Sequence, residues 1–260
     1  MPDAADRYFR VAADAEAAGR LDEALVYFSR SYSRNANHRP TLERLSFICF
    51  EKGQWDNAWR ATEAMIDRYR PTLNEGELAE LFVRSAVCDV HIAQRLSATA
   101  QLTSMLGSSS GGVRDLAETW AAMSFEPRLL GGLEGDRRTR VLDRLRDALA
   151  TDRCPPAARR LALGIRGALA IVERRWAEAR DALEFLSADA GGAASERCGY
   201  LIAAGDIAIH VERNADAGQR FYARARAQSA GDPRLIGRGE RTGDAFTEEL
   251  ARENTDEIVR

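Results

Sequence analysis

Two short stretches decide the fold of this chain: GRLDEAL at residues 19–25 and GQWDNAW at residues 53–59. Each begins with a glycine, carries a large apolar side chain two residues later and has an alanine five residues later. The second stretch starts 34 residues after the first. A repeat of that period is typical of proteins built from pairs of α-helices. The sequence therefore predicts helix hairpins that stack side by side.

Apolar residues around these stretches recur every three or four positions, which is the spacing of an amphipathic helix. The spacing predicts one helix over residues 4–18, which Gly19 ends, and a second over residues 21–33. The same pattern returns after residue 40 and ends at Pro71. No stretch alternates with a period of two residues, so we expect no sheet.

A third pair is predicted after Pro71, with weaker spacing. Its first helix contains Leu81, Phe82, Ser85 and Ala86, and its second contains Leu96, Ala98, Leu102 and Met105. Further helices are predicted over residues 113–123, 137–150, 156–174, 198–211, 215–228 and, as a cap, 246–253. Breaks in the pattern predict four regions: repeats over 1–107, an irregular helical connector over 108–155, further repeats over 156–231, and a cap with a mobile tail over 232–260.

Composition narrows the class of protein. The chain has 260 residues, 45% of them hydrophobic and 30% charged, with a net charge of −3. That balance is ordinary for a soluble domain and favours neither nucleic acid nor an anionic membrane as partner. No apolar run approaches the roughly 18 residues of a membrane-spanning helix, and the polar start lacks a secretory signal. We therefore expect a cytoplasmic protein with reduced, buried cysteines.

The repeated positions resemble those of the tetratricopeptide repeat family. The first unit matches at Tyr8, Ala12, Gly19, Ala24, Phe28 and Ser31, and the second at Leu42, Leu45, Ser46, Gly53, Ala58, Met65 and Pro71. Weaker units include Phe82 and Ala86, Trp176 and Ala179, and Tyr222 and Ala225. The resemblance implies an all-α fold, a right-handed superhelical α-solenoid of helix hairpins with an irregular middle, whose concave groove binds a partner protein or peptide.

Three arginines form the sharpest candidate site. Arg10, Arg44 and Arg84 each lie 14 residues before an alanine of a second helix. Equal offsets place the three guanidinium groups at the same position on successive first helices. The resemblance implies that this position lines the groove, where some relatives bind a peptide carboxylate. The planar guanidinium suits a carboxylate, so an acidic or C-terminal peptide is the expected partner.

A simpler interpretation of the arginine column is also open. Each arginine could pair with a nearby carboxylate such as Asp6, Asp14, Glu43 or Glu80, and solvated pairs of that kind imply no function. Phe9, Phe47 and Phe50 are candidates for an apolar groove floor beside the arginines. Packing of these rings within the helix core is the alternative.

No pattern of catalytic or cofactor-binding residues stands out. The three histidines, His38, His91 and His210, are far apart, so no metal site is expected. Arginines 137, 138, 140, 144 and 146 alternate with aspartates, which predicts an internally paired helix surface. We expect a non-catalytic interaction scaffold without cofactor. The alternatives are an enzyme with its site in residues 107–155 and a regulatory module that acts through a partner.

Overall fold

The computed structural model describes residues 4–96, 125, 130, 133–236 and 238 of the chain. These residues form ten α-helices and no strand, which confirms the all-α prediction. The helices are α1 (Ala4–Ala17), α2 (Leu21–Arg34), α3 (Arg39–Glu51), α4 (Trp55–Tyr69), α5 (Glu75–Leu96), α6 (Gly135–Leu149), α7 (Pro156–Val172), α8 (Trp176–Ala188), α9 (Ala194–Asp206) and α10 (Ala215–Gln228). Short 3-10 turns lie at Arg70–Thr72 and Pro233–Leu235, and a π-helical turn at Ile207–Val211.

The helices divide into two compact units. The first unit comprises the described parts of residues 1–92 and 136–159, and the second those of 93–135 and 160–260. Helix α6 therefore belongs almost entirely to the first unit, although sequence analysis placed its residues in a connector.

One turn geometry recurs in four hairpins, α1–α2, α3–α4, α7–α8 and α9–α10. Gly19, Gly53, Arg174 and Arg213 have φ angles of +75°, +66°, +56° and +55°, and each lies two residues before the second helix of its pair. In the first three hairpins the next amide donates to a carbonyl five residues earlier, at 2.8–2.9 Å. In the fourth hairpin the amide of Asn214 donates to the carbonyl of Ala208, six residues earlier, because the π-helical turn adds one residue to the loop. The turn is a helix C-cap motif.

Small side chains let the two helices of each hairpin approach closely. Ala24, Ala58, Ala179 and Gly218 each lie three residues after the start of a second helix, and all four are buried. A Cβ atom on Gly218 would lie 2.2 Å from Cγ1 of Ile209, so only glycine allows this approach. The predicted small residues therefore lie at helix crossings.

The predicted third pair needs a correction. Helix α5 continues through Leu96, so the prediction that Leu96 lies on a second helix is wrong. Neither glycine nor proline interrupts residues 77–96, and the helix has no local reason to end earlier. The rest of that predicted helix lies outside the described residues, as do the predicted helices 113–123 and 246–253 and the break at 108–112.

Helix α6 packs antiparallel to α5 in the first unit. Near its start, Arg140 donates to Asp89 in the last third of α5. Just after its end, the Thr151 hydroxyl lies 3.4 Å from Glu75, the first residue of α5. Within the described residues, a helix that pairs with α5 thus comes from a later part of the chain than the repeat period predicts.

Candidate partner-binding site

Arg44 on α3 and Arg84 on α5 meet at the ring of Phe47. The guanidinium carbon Cζ lies 5.1 Å from the ring centroid for Arg44 and 5.8 Å for Arg84. Both distances are within the range of cation–π attraction. Phe47 nevertheless remains 41% exposed. The predicted arginine register therefore brings two cations to one accessible aromatic side chain.

Both guanidinium groups also bind carboxylates of the chain itself. Arg44 donates through Nε and Nη2 to the two oxygens of Glu16 on α1, the first of these at 3.0 Å. Arg84 donates to Glu80 at 2.6 Å and to the buried hydroxyl of Ser46 at 2.8 Å. Burial lowers the pKa of Arg84 below its ordinary value. The two-atom contact with Glu16 is the geometry in which an arginine holds a carboxylate most specifically.

The other carboxylates considered as local partners bind elsewhere or stay apart from the column. Asp6 lies 3.1 Å from Nε2 of His38, and Glu43 accepts from Arg39 at 2.6 Å. Arg10 is exposed on α1 and has no hydrogen bond or ion pair among the described residues. Within the column, Arg84 pairs with Glu80 as the simpler interpretation predicts, and Arg44 pairs with another carboxylate of the chain, Glu16.

Phe9 lies apart from the other two candidate aromatic residues. Its ring is half-buried and packs against Phe28 at a centroid distance of 5.6 Å and against the His38 ring at 5.3 Å. These contacts belong to the core of the first hairpin. Phe9 thus packs within the helix core, which is the alternative to its being part of a groove floor.

Phe50 continues a row of stacked groups beyond Arg84. The Arg84 Cζ atom lies 5.7 Å from the Phe50 centroid, and Phe50 meets Trp55 edge-on at 5.6 Å. The rings of Trp55 and His91 then stack at 4.0 Å with an interplanar angle of 12°. We define the Arg–aromatic row as Arg44, Phe47, Arg84, Phe50, Trp55 and His91.

Sequence reasoning missed the last two members of the Arg–aromatic row. The helical period identified Trp55 only as a packing residue, and His91 was considered only as a metal ligand. The two residues are 36 positions apart on different helices, so no local spacing connects them. Their contact follows from the way in which α5 packs on the second hairpin.

The arginines of α6 are used for internal pairing. Arg140 donates to both oxygens of the buried Asp89 at 2.9 and 3.1 Å, and Nε of Arg137 lies 3.3 Å from the same carboxylate. Arg144 donates to Glu63 on α4 at 3.1 Å. The hydrogen bond to Asp89 raises the pKa of Arg140 above its ordinary value. This basic helix thus binds to α4 and α5 through its arginines.

Metal binding and thiol chemistry have no candidate site in the part of the chain that the structure describes. No group of three histidine, cysteine or acidic side chains within them could hold a metal ion. The four cysteines are free and buried. Burial raises the pKa of Cys88 to about 12 and that of Cys198 to about 11, so both remain protonated thiols near neutral pH. None of the described helices combines the length and apolar character needed to cross a bilayer.

Comparison with protein families, with curated proteins and with solved structures finds no match to this chain. The membership in the tetratricopeptide repeat family that sequence analysis suggested therefore stays a prediction.

Proposed function

We propose that the chain is a non-catalytic scaffold whose first unit binds a partner protein or peptide on the Arg–aromatic row. In this proposal the hairpins belong to a right-handed α-solenoid of the tetratricopeptide type, and the row faces its concave side. Contacts within the chain are its only support, because the comparisons found no similar protein of known function.

The single observation that supports it best is the environment of Phe47. Large aromatic side chains and arginines dominate the binding energy of protein interfaces, and they act most strongly at the centre of a patch. Phe47 is exposed between two arginines, and both already hold a carboxylate of the chain, Glu16 for Arg44 and Glu80 for Arg84. The site thus combines an apolar anchor with two cations.

The chemistry of the arginine column, Arg10, Arg44 and Arg84, favours an acidic partner. Arg10 is exposed and has no carboxylate partner among the described residues. Arg44 binds Glu16 in the same two-atom geometry that a partner's aspartate, glutamate or C-terminal carboxylate would use. An acidic segment with an apolar residue for the Phe47 ring is the expected ligand.

Affinity capture with matched variants tests the proposal. Phe47→Ala removes the anchor, and Phe185→Ala is the control, because Phe185 is 55% exposed on α8 of the second unit. A partner captured by the wild-type chain should lose about 2 kcal/mol, or roughly thirtyfold in Kd, on Phe47→Ala and nothing on the control. Equal binding by both variants and the wild-type chain would refute this site.

A further inference from the structure

A row of four polar contacts joins α1, α2 and α3. The Ser31 hydroxyl lies 2.9 Å from the backbone carbonyl of Ala5, and the Thr41 hydroxyl lies 2.7 Å from the hydroxyl of Ser31. The Thr41 hydroxyl also lies 2.7 Å from Nδ1 of His38. Nε2 of the same ring lies 3.1 Å from the Asp6 carboxylate. We call these five groups the His38 relay.

A count of protons shows what the His38 relay requires. A carbonyl and a carboxylate accept hydrogen bonds but do not donate them, so the two ends of the relay supply no proton. Each hydroxyl supplies one proton, and a neutral imidazole supplies one more. The four contacts therefore share three protons when the His38 ring is neutral and four when it is protonated. Only the protonated ring fills every contact.

The relay is shielded from water. Ser31 and Thr41 are fully buried, and the side chain of His38 is 14% exposed. The Phe9 ring lies against the imidazole at a centroid distance of 5.3 Å. A contact without a proton would leave two buried acceptor atoms facing each other, which is unfavourable. The Asp6 side chain is 44% exposed, and a carboxyl group in contact with water is ionised near neutral pH, so it does not supply the fourth proton.

Arg84 ends a second relay of the same design. The Thr62 hydroxyl donates to the Ala58 carbonyl at 2.7 Å and lies 2.9 Å from the Ser46 hydroxyl. Arg84 donates to Ser46 at 2.8 Å and to Glu80 at 2.6 Å. Both relays thus run from a backbone carbonyl through two buried hydroxyls to a nitrogen group and then to a carboxylate. In the second relay the nitrogen group always carries a positive charge, whereas a histidine carries one only after it binds a proton.

The charge that the His38 ring meets directly is the Asp6 carboxylate on α1. His38 precedes the first residue of α3, where the helix dipole disfavours a cation, and the carboxylate offsets that effect. Arg39, the next residue, donates to a carboxylate one turn further along α3 at 2.6 Å. From α4, Arg68 and the Tyr69 hydroxyl donate to backbone carbonyls of the turn before α3. From α2 the relay receives a hydroxyl.

We infer that His38 is a proton-operated link between the first three helices. When its ring is protonated, it holds Asp6 on α1 and Thr41 on α3 at the same time. When the ring loses that proton, one of the four contacts is empty and α1 is held less firmly. The attachment of α1 therefore weakens as the pH rises through the neutral range, in which histidine changes charge. This inference does not depend on the function proposed for the first unit.

Hydrogen exchange of α1 in the full chain, measured by mass spectrometry between about pH 5.5 and about pH 8.5, tests the inference. The rates are corrected for the ordinary pH dependence of amide exchange. His38→Gln removes the titrating ring. Asp6→Asn completes the relay with a neutral ring, because an amide donates to the ring nitrogen that carries no proton. The matched control is Asp14→Asn, the same change at an exposed position of α1.

In the wild-type chain the opening equilibrium constant of α1 should be about tenfold smaller at the acidic end of this range than at the alkaline end, which is the effect of one filled buried hydrogen bond. The sign follows from linkage: the closed state binds more protons than the open state, so stability falls as the pH rises. Asp14→Asn should keep this dependence, and His38→Gln and Asp6→Asn should lose it.

Two results would overturn the inference. The first is an opening equilibrium of α1 that does not change with pH in the wild-type chain. The second is a pH dependence that Asp6→Asn retains in full. Both results can be obtained even if His38→Gln does not fold, because neither of them needs that variant.

Discussion

Replacing Asp89 with asparagine should loosen the attachment of α6 to the first unit. Asp89 is 1% exposed and receives two hydrogen bonds from Arg140 and an ion pair from Arg137. Asp89→Asn keeps the size of the side chain and removes its charge, so both guanidinium groups lose their counterion.

The expected cost follows from the burial of each partner. Breaking a buried ion pair by removing one charge costs about 3–5 kcal/mol. Here the arginine side chains remain about one-third exposed, at 34% for Arg137 and 32% for Arg140, so water solvates them after the change. The lower end of the range, about 3 kcal/mol, is therefore expected. That corresponds to a factor of roughly one hundred in the opening equilibrium.

Hydrogen exchange measured by mass spectrometry is the appropriate assay, because it reports the opening of individual helices. Amides of α6 should exchange roughly a hundredfold faster in Asp89→Asn than in the wild-type chain. The matched control is Asp143→Asn, which removes an exposed ion pair with Arg146 on the same helix and should cost less than about 0.5 kcal/mol. Equal protection of α6 in both variants would refute the reasoning.

Three further changes test other parts of the structure. Arg213→Gly should stabilise the chain by about 0.5 kcal/mol in thermal unfolding, because φ is +55° there; a lower melting temperature would contradict this. Gly205→Ala should cost about 3 kcal/mol in urea unfolding, since its Cβ would lie 2.5 Å from the buried Tyr222 ring; an unchanged midpoint would show that the ring moves aside. Arg234 lowers the pKa of Asp232 to about 2, so this carboxylate contributes stability above about pH 4 that is lost as the pH falls towards 2. In acid titrations Asp232→Asn should remove about 1–2 kcal/mol of that dependence, and a profile identical to the wild type would refute the assignment.

The repeat units could be predicted where a glycine occupies the turn between the two helices of a hairpin. Gly19 and Gly53 indicate a left-handed turn at the sequence level, because glycine adopts positive φ without strain. Arg174 and Arg213 adopt the same turn, but an arginine carries no such signal. Sequence reasoning therefore aligned the first two hairpins through their turns and found the later ones only through their apolar spacing.

The pairing of α5 was not predictable from the period. The arginines of α6 were expected to pair with aspartates one turn away, and Arg146 does bind Asp143 at 2.8 Å. Arg140, however, binds Asp89, which lies 51 residues earlier. A contact over that separation depends on which helices pack together. The spacing of residues within one sequence does not show which helices those are. In the candidate site, the common register of Arg44 and Arg84 was visible, whereas the Trp55–His91 stack was not.

The distance along the chain between Asp89 and Arg140 also affects how the protein is made. Ribosomes add about 5–20 residues per second, so Asp89 precedes its partner by roughly 3–10 seconds. For most of that interval, once Leu96 has been added, α5 is complete but lacks the helix that covers Asp89. The nascent first unit thus passes through a stage in which water, rather than arginine, solvates the Asp89 carboxylate.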